Sequence, residues 1–145
     1  MAFKIFKVIW VLSLFAVLAV LFYVYASLPE TVVVNESAGT ISVGKQQLFY
    51  IALSILALAN ASVFAVTRIF PEESYPFKTW YYGLILFANL FFIVALSFIS
   101  LYNSAEKFDY PRIGPIIYGS FVLLLAWVIA WPVYRIYSMM SKKAI

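Results

Sequence analysis

Charged residues divide this chain into four long intervals that contain none: 8–29, 46–67, 79–105 and 113–134, of 22, 22, 27 and 22 residues. About 20 apolar residues, each rising about 1.5 Å, span a hydrocarbon core of about 30 Å. Each interval is therefore long enough to cross a bilayer once as a helix, and the connections are too short to fold as soluble domains. The pattern predicts a single domain over 1–145, an all-α membrane protein built as a four-transmembrane-helix bundle. Its helices are expected over about 6–28, 45–66, 77–101 and 115–138. Pro29 stops the first of these because it has no amide to donate. Pro115 suits a first helical position, and Pro132 implies a kink near the far end of the fourth helix. Short loops predict that helices one and two, and helices three and four, pack as antiparallel neighbours.

The connection 29–44 is the only sizeable polar stretch. Thr31–Val34 and Thr40–Val43 are β-branched runs, separated by the turn-forming residues of Asn35–Gly39. A short β-hairpin follows from this pattern. An isolated hairpin is marginal in water, so it is expected to pack against helix ends or a partner.

Composition agrees with a lipid exterior. The chain is 66% hydrophobic and 11% charged, against about 25% charged in a water-soluble domain. The net charge of +4 comes from basic residues scattered at loop ends, which fits anionic lipid headgroups and not nucleic acid. Lys4, Lys7, Arg68, Lys78, Arg135, Lys142 and Lys143 fall on one side of the bundle, and only Lys45, Lys107 and Arg112 on the other. Because basic residues resist translocation, both termini are expected in the cytoplasm, with the hairpin extracytoplasmic and the chain in the inner (cytoplasmic) membrane. Trp10, Trp80, Trp127 and Trp131 then lie in the cytoplasmic half, and Tyr23, Tyr25, Tyr50, Tyr102 and Tyr110 gather toward the outer face. Val24-Tyr25-Ala26 resembles a cleavage site. The apolar run before it exceeds the roughly 7–15 residues of a signal peptide, so the first helix is read as retained.

The chain has no His and no Cys, which removes disulfides, thiolate and imidazole metal sites, and His- or Cys-based catalysis. No enzyme, cofactor or metal is expected. No Asp, Glu, Lys or Arg falls within the four intervals, which argues against a pump or ion-coupled carrier. Glu72 and Glu73 are adjacent on a turn and read as solvated. Glu106, Lys107, Asp109 and Arg112 form a polar cluster that could face Glu30, Glu36 and Lys45.

Asn60 and Asn89 are the strongest polar groups at membrane depth, about one helical turn apart when measured from the interval ends. They could meet directly or through Ser62. Interhelical hydrogen bonding is the simpler reading, and a ligand or headgroup site the alternative. Small residues form stripes at Ser13, Ala16 and Ala19, at Ala57, Ala59, Ala61 and Ser62, and at Gly119, Ser120, Ala126 and Ala130. Such stripes allow close helix approach, within the bundle or to a partner.

Leu28-Pro29-Glu30-Thr31-Val32, then Gly39, then Gly44-Lys45 before an apolar helix containing Asn60, resembles the N-terminal domain of unknown function in SdpI-type membrane proteins. The resemblance covers the first loop and second helix. It implies an extracellular Leu-Pro-x-x-Val strand, a Gly-containing turn and a Lys ahead of the second helix, and a role in immunity or signalling. That pattern commonly has a His after the strand, where this chain has Asn35.

The functional expectation is a non-catalytic small integral membrane protein, an accessory or scaffold subunit of an envelope complex. It would bind other membrane subunits, or copies of itself, through helix faces and the 29–44 loop. The contact residues there would be Pro29, Glu30, Val32, Asn35, Gly39, Gly44 and Lys45. The alternative is an envelope sensor or immunity-type protein whose hairpin captures an extracellular peptide or toxin.

Overall fold

The computed structural model describes residues 1–35, 41–104 and 110–143. Helix α1 spans Ala2–Ser27, strands β1 and β2 span Thr31–Asn35 and Ile41–Gly44, and α2 spans Lys45–Ile69. A 3-10 turn at Glu72–Ser74 leads into α3, Tyr75–Tyr102, and α4 spans Tyr110–Lys143. All four helices are long and apolar enough to cross a membrane, and a two-stranded antiparallel hairpin lies between the first two. The chain is a multi-pass membrane protein.

Each helix extends beyond its charge-free interval. Those intervals mark where lipid forbids charge, whereas Lys and Arg are good helix formers whose long side chains reach back toward water. Hence α1 starts ahead of Lys4 and Lys7, and α4 runs through Arg135 to Lys143. At its other end α1 stops at Leu28, which is extended (φ −77°, ψ 145°) as the residue before a proline prefers. Pro76 sits in the first turn of α3, where an amide would have no partner. Pro115 does not open α4 but lies inside it, as does Pro132, and the helix continues through both. Each removes one i→i−4 hydrogen bond.

Packing follows the expected pairing for α3 with α4 but departs from it for α1. The closest helix pair is α1 with α3, which run parallel because α2 returns between them. The buried positions explain this. On α1 they are Trp10, Ser13, Val17, Leu21 and Val24, and on α3 they include Lys78, Tyr82, Ile85, Asn89 and Leu96. Both recur at steps of three and four, with a longer interval on α3 between Asn89 and Leu96, so each helix carries one seam suited to knobs-into-holes packing. Buried Ala52, Leu56, Asn60 and Val63 of α2 close the third side. Among the described residues, α4 packs its backbone against α3 alone, with Phe6 of α1 reaching the Trp127 ring, and none of its residues is buried.

Two apolar clusters result. One, toward the hairpin, gathers Val17, Leu21, Leu28, Val32, Leu56 and Leu96. The other, toward the termini, gathers Trp10, Val63, Tyr82 and Ile85. The hairpin pairs Thr31 with Gly44, Val32 with Val43 and Val33 with Ser42, and shifts register between Val33 and Asn35. It is not free-standing. Val32 is fully buried in the first cluster, worth about 1.5–3 kcal/mol where the side chain leaves water. Asn103, past the end of α3, accepts from the Val33 amide (2.7 Å) and donates to the Val33 carbonyl (3.0 Å), acting as a one-residue neighbouring strand.

Candidate functional site

Between the two apolar clusters lies a polar knot tying three helices together. The Asn60 Nδ2 amide donates to Asn89 Oδ1 and the Asn89 Nδ2 amide donates back to Asn60 Oδ1, both at 2.9 Å. Trp10 of α1 donates its indole N–H to the same Asn60 Oδ1 (2.9 Å). Asn89 Nδ2 also donates to Ser13 Oγ (3.0 Å), and Ser13 donates to the Trp10 carbonyl (2.7 Å). The second Asn60 amide hydrogen goes to the Leu56 carbonyl (2.8 Å). Every member is buried, Asn89 completely. Both amide hydrogens of each asparagine have acceptors, so the knot is closed on itself. Hydrocarbon offers no substitute partners, and an open network would cost about 1–3 kcal/mol per orphaned group.

The two asparagines meet directly, not through Ser62. The Ser62 hydroxyl instead shares a hydrogen bond with the Tyr81 hydroxyl (2.7 Å), and Thr67 does the same with Tyr82 (3.2 Å). Nearer the hairpin, Ser27 and Ser100 join α1 to α3 (3.0 Å). Hydroxyl and amide ties thus recur along the α1–α3 and α2–α3 interfaces, each replacing solvent that lipid lacks.

The α3–α4 interface is held differently. Trp80 donates its indole N–H to the Trp127 carbonyl (2.8 Å), and Trp127 donates to the Trp80 carbonyl (2.9 Å), a reciprocal clasp between antiparallel helices. Gly83 makes it possible. A Cβ there would sit 2.6 Å from Trp127 Cε2 and 2.8 Å from Nε1, inside the indole's own volume.

The loop residues divide by role. Val32 is core, while Pro29 and Glu30 are exposed. The Lys45 amide donates to the Glu30 carbonyl (2.9 Å), closing the base of the hairpin. The Lys45 ammonium lies 3.7 Å from the Glu30 carboxylate and 4.9 Å from the centre of the Tyr25 ring. With Glu30 so exposed, the ion pair adds little stability. Gly44 caps α2 at φ −62°, a conformation open to any residue. Asn35 ends β1, and Gly39 lies outside the described residues, as do Glu36, Glu106, Lys107 and Asp109.

Several ties were not legible as such. Along the sequence Trp10 is one of four tryptophans in the cytoplasmic half, and nothing in the pattern sets Tyr81, Tyr82, Thr67, Gly83 or Asn103 apart. Lys78 is the one buried charged side chain among the described residues, its ammonium 5.8 Å from the centre of the Tyr75 ring. Among the described residues no group of three or more Asp or Glu side chains converges on a metal-sized site. The small residues of α4 face three ways. Ser120 is half-buried, Ala130 borders a crevice at the termini end, and Gly119 and Ala126 point away from the bundle with open space at Gly119.

Comparisons with protein-family models, with curated proteins and with solved structures found no match to this chain.

Proposed function

We propose that this chain is a non-catalytic integral membrane protein that works as an accessory or scaffold subunit, docking another membrane helix against α4. The observation that carries the reading is the second face of α4. Half-buried Ile117, Ser120, Leu124, Trp127 and Trp131 face α3. On the opposite side Gly119, Val122, Ala126, Ile129, Val133 and Ile136 repeat at three and four residues, and all are exposed. A helix held by one seam and carrying a second, with small residues at two of its positions, suits close approach by a further helix. The polar side chains inside the bundle support a binding role over a chemical one, because they are occupied with each other. In this reading both termini are cytoplasmic and the chain sits in the inner membrane, as the basic residues favour.

Photo-crosslinking residues placed singly at Val122, Ile129 and Ile136, with a control at Leu124 on the α3 side, test this in native membranes. One protein band, the same from all three positions and absent from the control, is the expected result; it would be a second copy of this chain or a separate subunit. Lipid adducts alone at all three would overturn it.

A second reading, capture of an extracellular peptide or toxin by the hairpin, is favoured by β2, whose outer edge pairs with no strand among the described residues and carries Ile41 at 54% exposure. Edge strands of this kind accept an added strand. The resemblance of this loop to SdpI-type proteins belongs to that reading. Substituting Ile41 and Ser42 should then sensitise cells to a specific envelope agent, and unchanged sensitivity would dispose of it.

A further inference from the structure

At the end of the bundle that carries the termini, α1, α3 and α4 do not close on one another. The first turns of α1, the first turn of α3 and the far half of α4 border an open crevice of about 900 Å³. That lies within the roughly 300–1,000 Å³ typical of sites for small ligands. Its walls are aromatic: Phe3, Phe6, Trp80, Trp127, Trp131 and Tyr134. Lys4 and Lys7 border it, and among the described residues no Asp or Glu does. Glu72 and Glu73 precede α3 in the chain but are not among the lining residues.

We propose that this crevice binds an anionic phospholipid, one acyl chain lying along the aromatic wall and the phosphate held between Lys4 and Lys7. The first support is the polarity of the lining, apolar and aromatic inside with paired cations on one element and no opposing anion. This is the complement of an amphiphile with a negative head. The second is depth. Lys4 stands six residues before Trp10, about 9 Å nearer the helix end than the polar knot, and tryptophan and tyrosine favour headgroup level. The crevice therefore straddles the boundary between acyl chains and headgroups. The third is that its walls are held in place without an occupant. Trp127 and Trp80 are locked by their reciprocal hydrogen bonds, Phe6 stacks on Trp127 at 5.7 Å, and Trp80 stacks on Trp131 at 5.7 Å. A preformed site spends little of its binding energy on ordering side chains.

This inference is independent of the docking face on α4, which lies on other residues. Its test is native mass spectrometry of the full chain in mild detergent with equal amounts of phosphatidylglycerol and phosphatidylcholine. The wild type should retain phosphatidylglycerol in preference. A basic residue at a membrane surface contributes about fivefold to anionic-lipid binding, so Lys4→Gln with Lys7→Gln should lower the preference by roughly 25-fold. Both lysines are exposed, so the pair should leave folding intact. Ala130→Trp, which puts an indole into the crevice while keeping both lysines, should weaken retention of both lipids alike. Equal retention of the two lipids by the wild type, or a preference unchanged in the lysine variant, would overturn the proposal. So would a second copy of the chain occupying the crevice in place of lipid.

Discussion

A double-mutant cycle across the Asn60–Asn89 pair probes the polar knot most directly. Two hydrogen bonds join these side chains, each 2.9 Å long and fully withdrawn from solvent. Interhelical hydrogen bonds in membrane proteins average about 0.6 kcal/mol and reach about 1.7. The pair should therefore couple by about 1.2 kcal/mol, an eightfold effect on the folding equilibrium. The single changes should differ. Asn89→Ala orphans one Asn60 amide hydrogen and strips Ser13 of one incoming bond, but Ser13 keeps its own bond to the Trp10 carbonyl, and Asn60 keeps Trp10 and Leu56. Asn60→Ala likewise orphans one Asn89 amide hydrogen and, in addition, leaves the Trp10 indole N–H without an acceptor in an apolar core, an added cost of about 1–3 kcal/mol. Asn60→Ala should be the more destabilising, and Trp10→Phe should be milder in the Asn60→Ala background than in the wild type. Reversible unfolding in mixed dodecylmaltoside–SDS micelles measures all of these. Distant, independent sites add within about 0.3–0.5 kcal/mol. A coupling below about 0.3 kcal/mol, or Asn89→Ala costing more than Asn60→Ala, would refute the closed-knot account.

Further outcomes follow from the other ties. Gly83→Ala would raise stability by up to about 1 kcal/mol in an unobstructed helix. Here it must displace the Trp127 ring, so a net loss of about 1–3 kcal/mol is expected, relieved by Trp127→Ala in the same chain. Asn103→Asp keeps the acceptor for the Val33 amide but loses both donated bonds, to Val33 and Ile99. Hydrogen exchange over 31–35 should speed up by about tenfold while exchange within α1 is unchanged. The chain has no cysteine, so single cysteines at Glu30 and Glu72 report sidedness cleanly. An impermeant maleimide should label Glu30→Cys and not Glu72→Cys in intact cells. Labelling of both would break the four-crossing topology.

Much of the architecture was legible because lipid imposes a local rule. A charge in hydrocarbon is costly wherever it sits in the fold, so charge-free runs of 22 to 27 residues declare the crossings one by one. The hairpin was equally local, a product of β-branched runs around turn formers. Asn60 and Asn89 stood out for the same reason, as strong polar groups where polarity is expensive.

Which groups meet is a matter of geometry, not of any residue's own preference. Loop lengths suggested that α1 would favour α2. It packs most closely on α3, because parallel seams of buried residues on those two helices interlock. Trp10 has the chemistry of an interfacial anchor, and only its position opposite Asn60 makes it a knot member. Gly83 and Trp127 gain meaning from each other, as do Asn103 and Val33. The small residues of α4 formed one stripe when read along the chain; the assembled bundle separates them onto α3, the crevice and the open face. Solvent choice and helix count are set residue by residue, so the chain alone determined them. Partners, faces and crevices depend on distances between segments remote in sequence, and those existed only once the helices had packed.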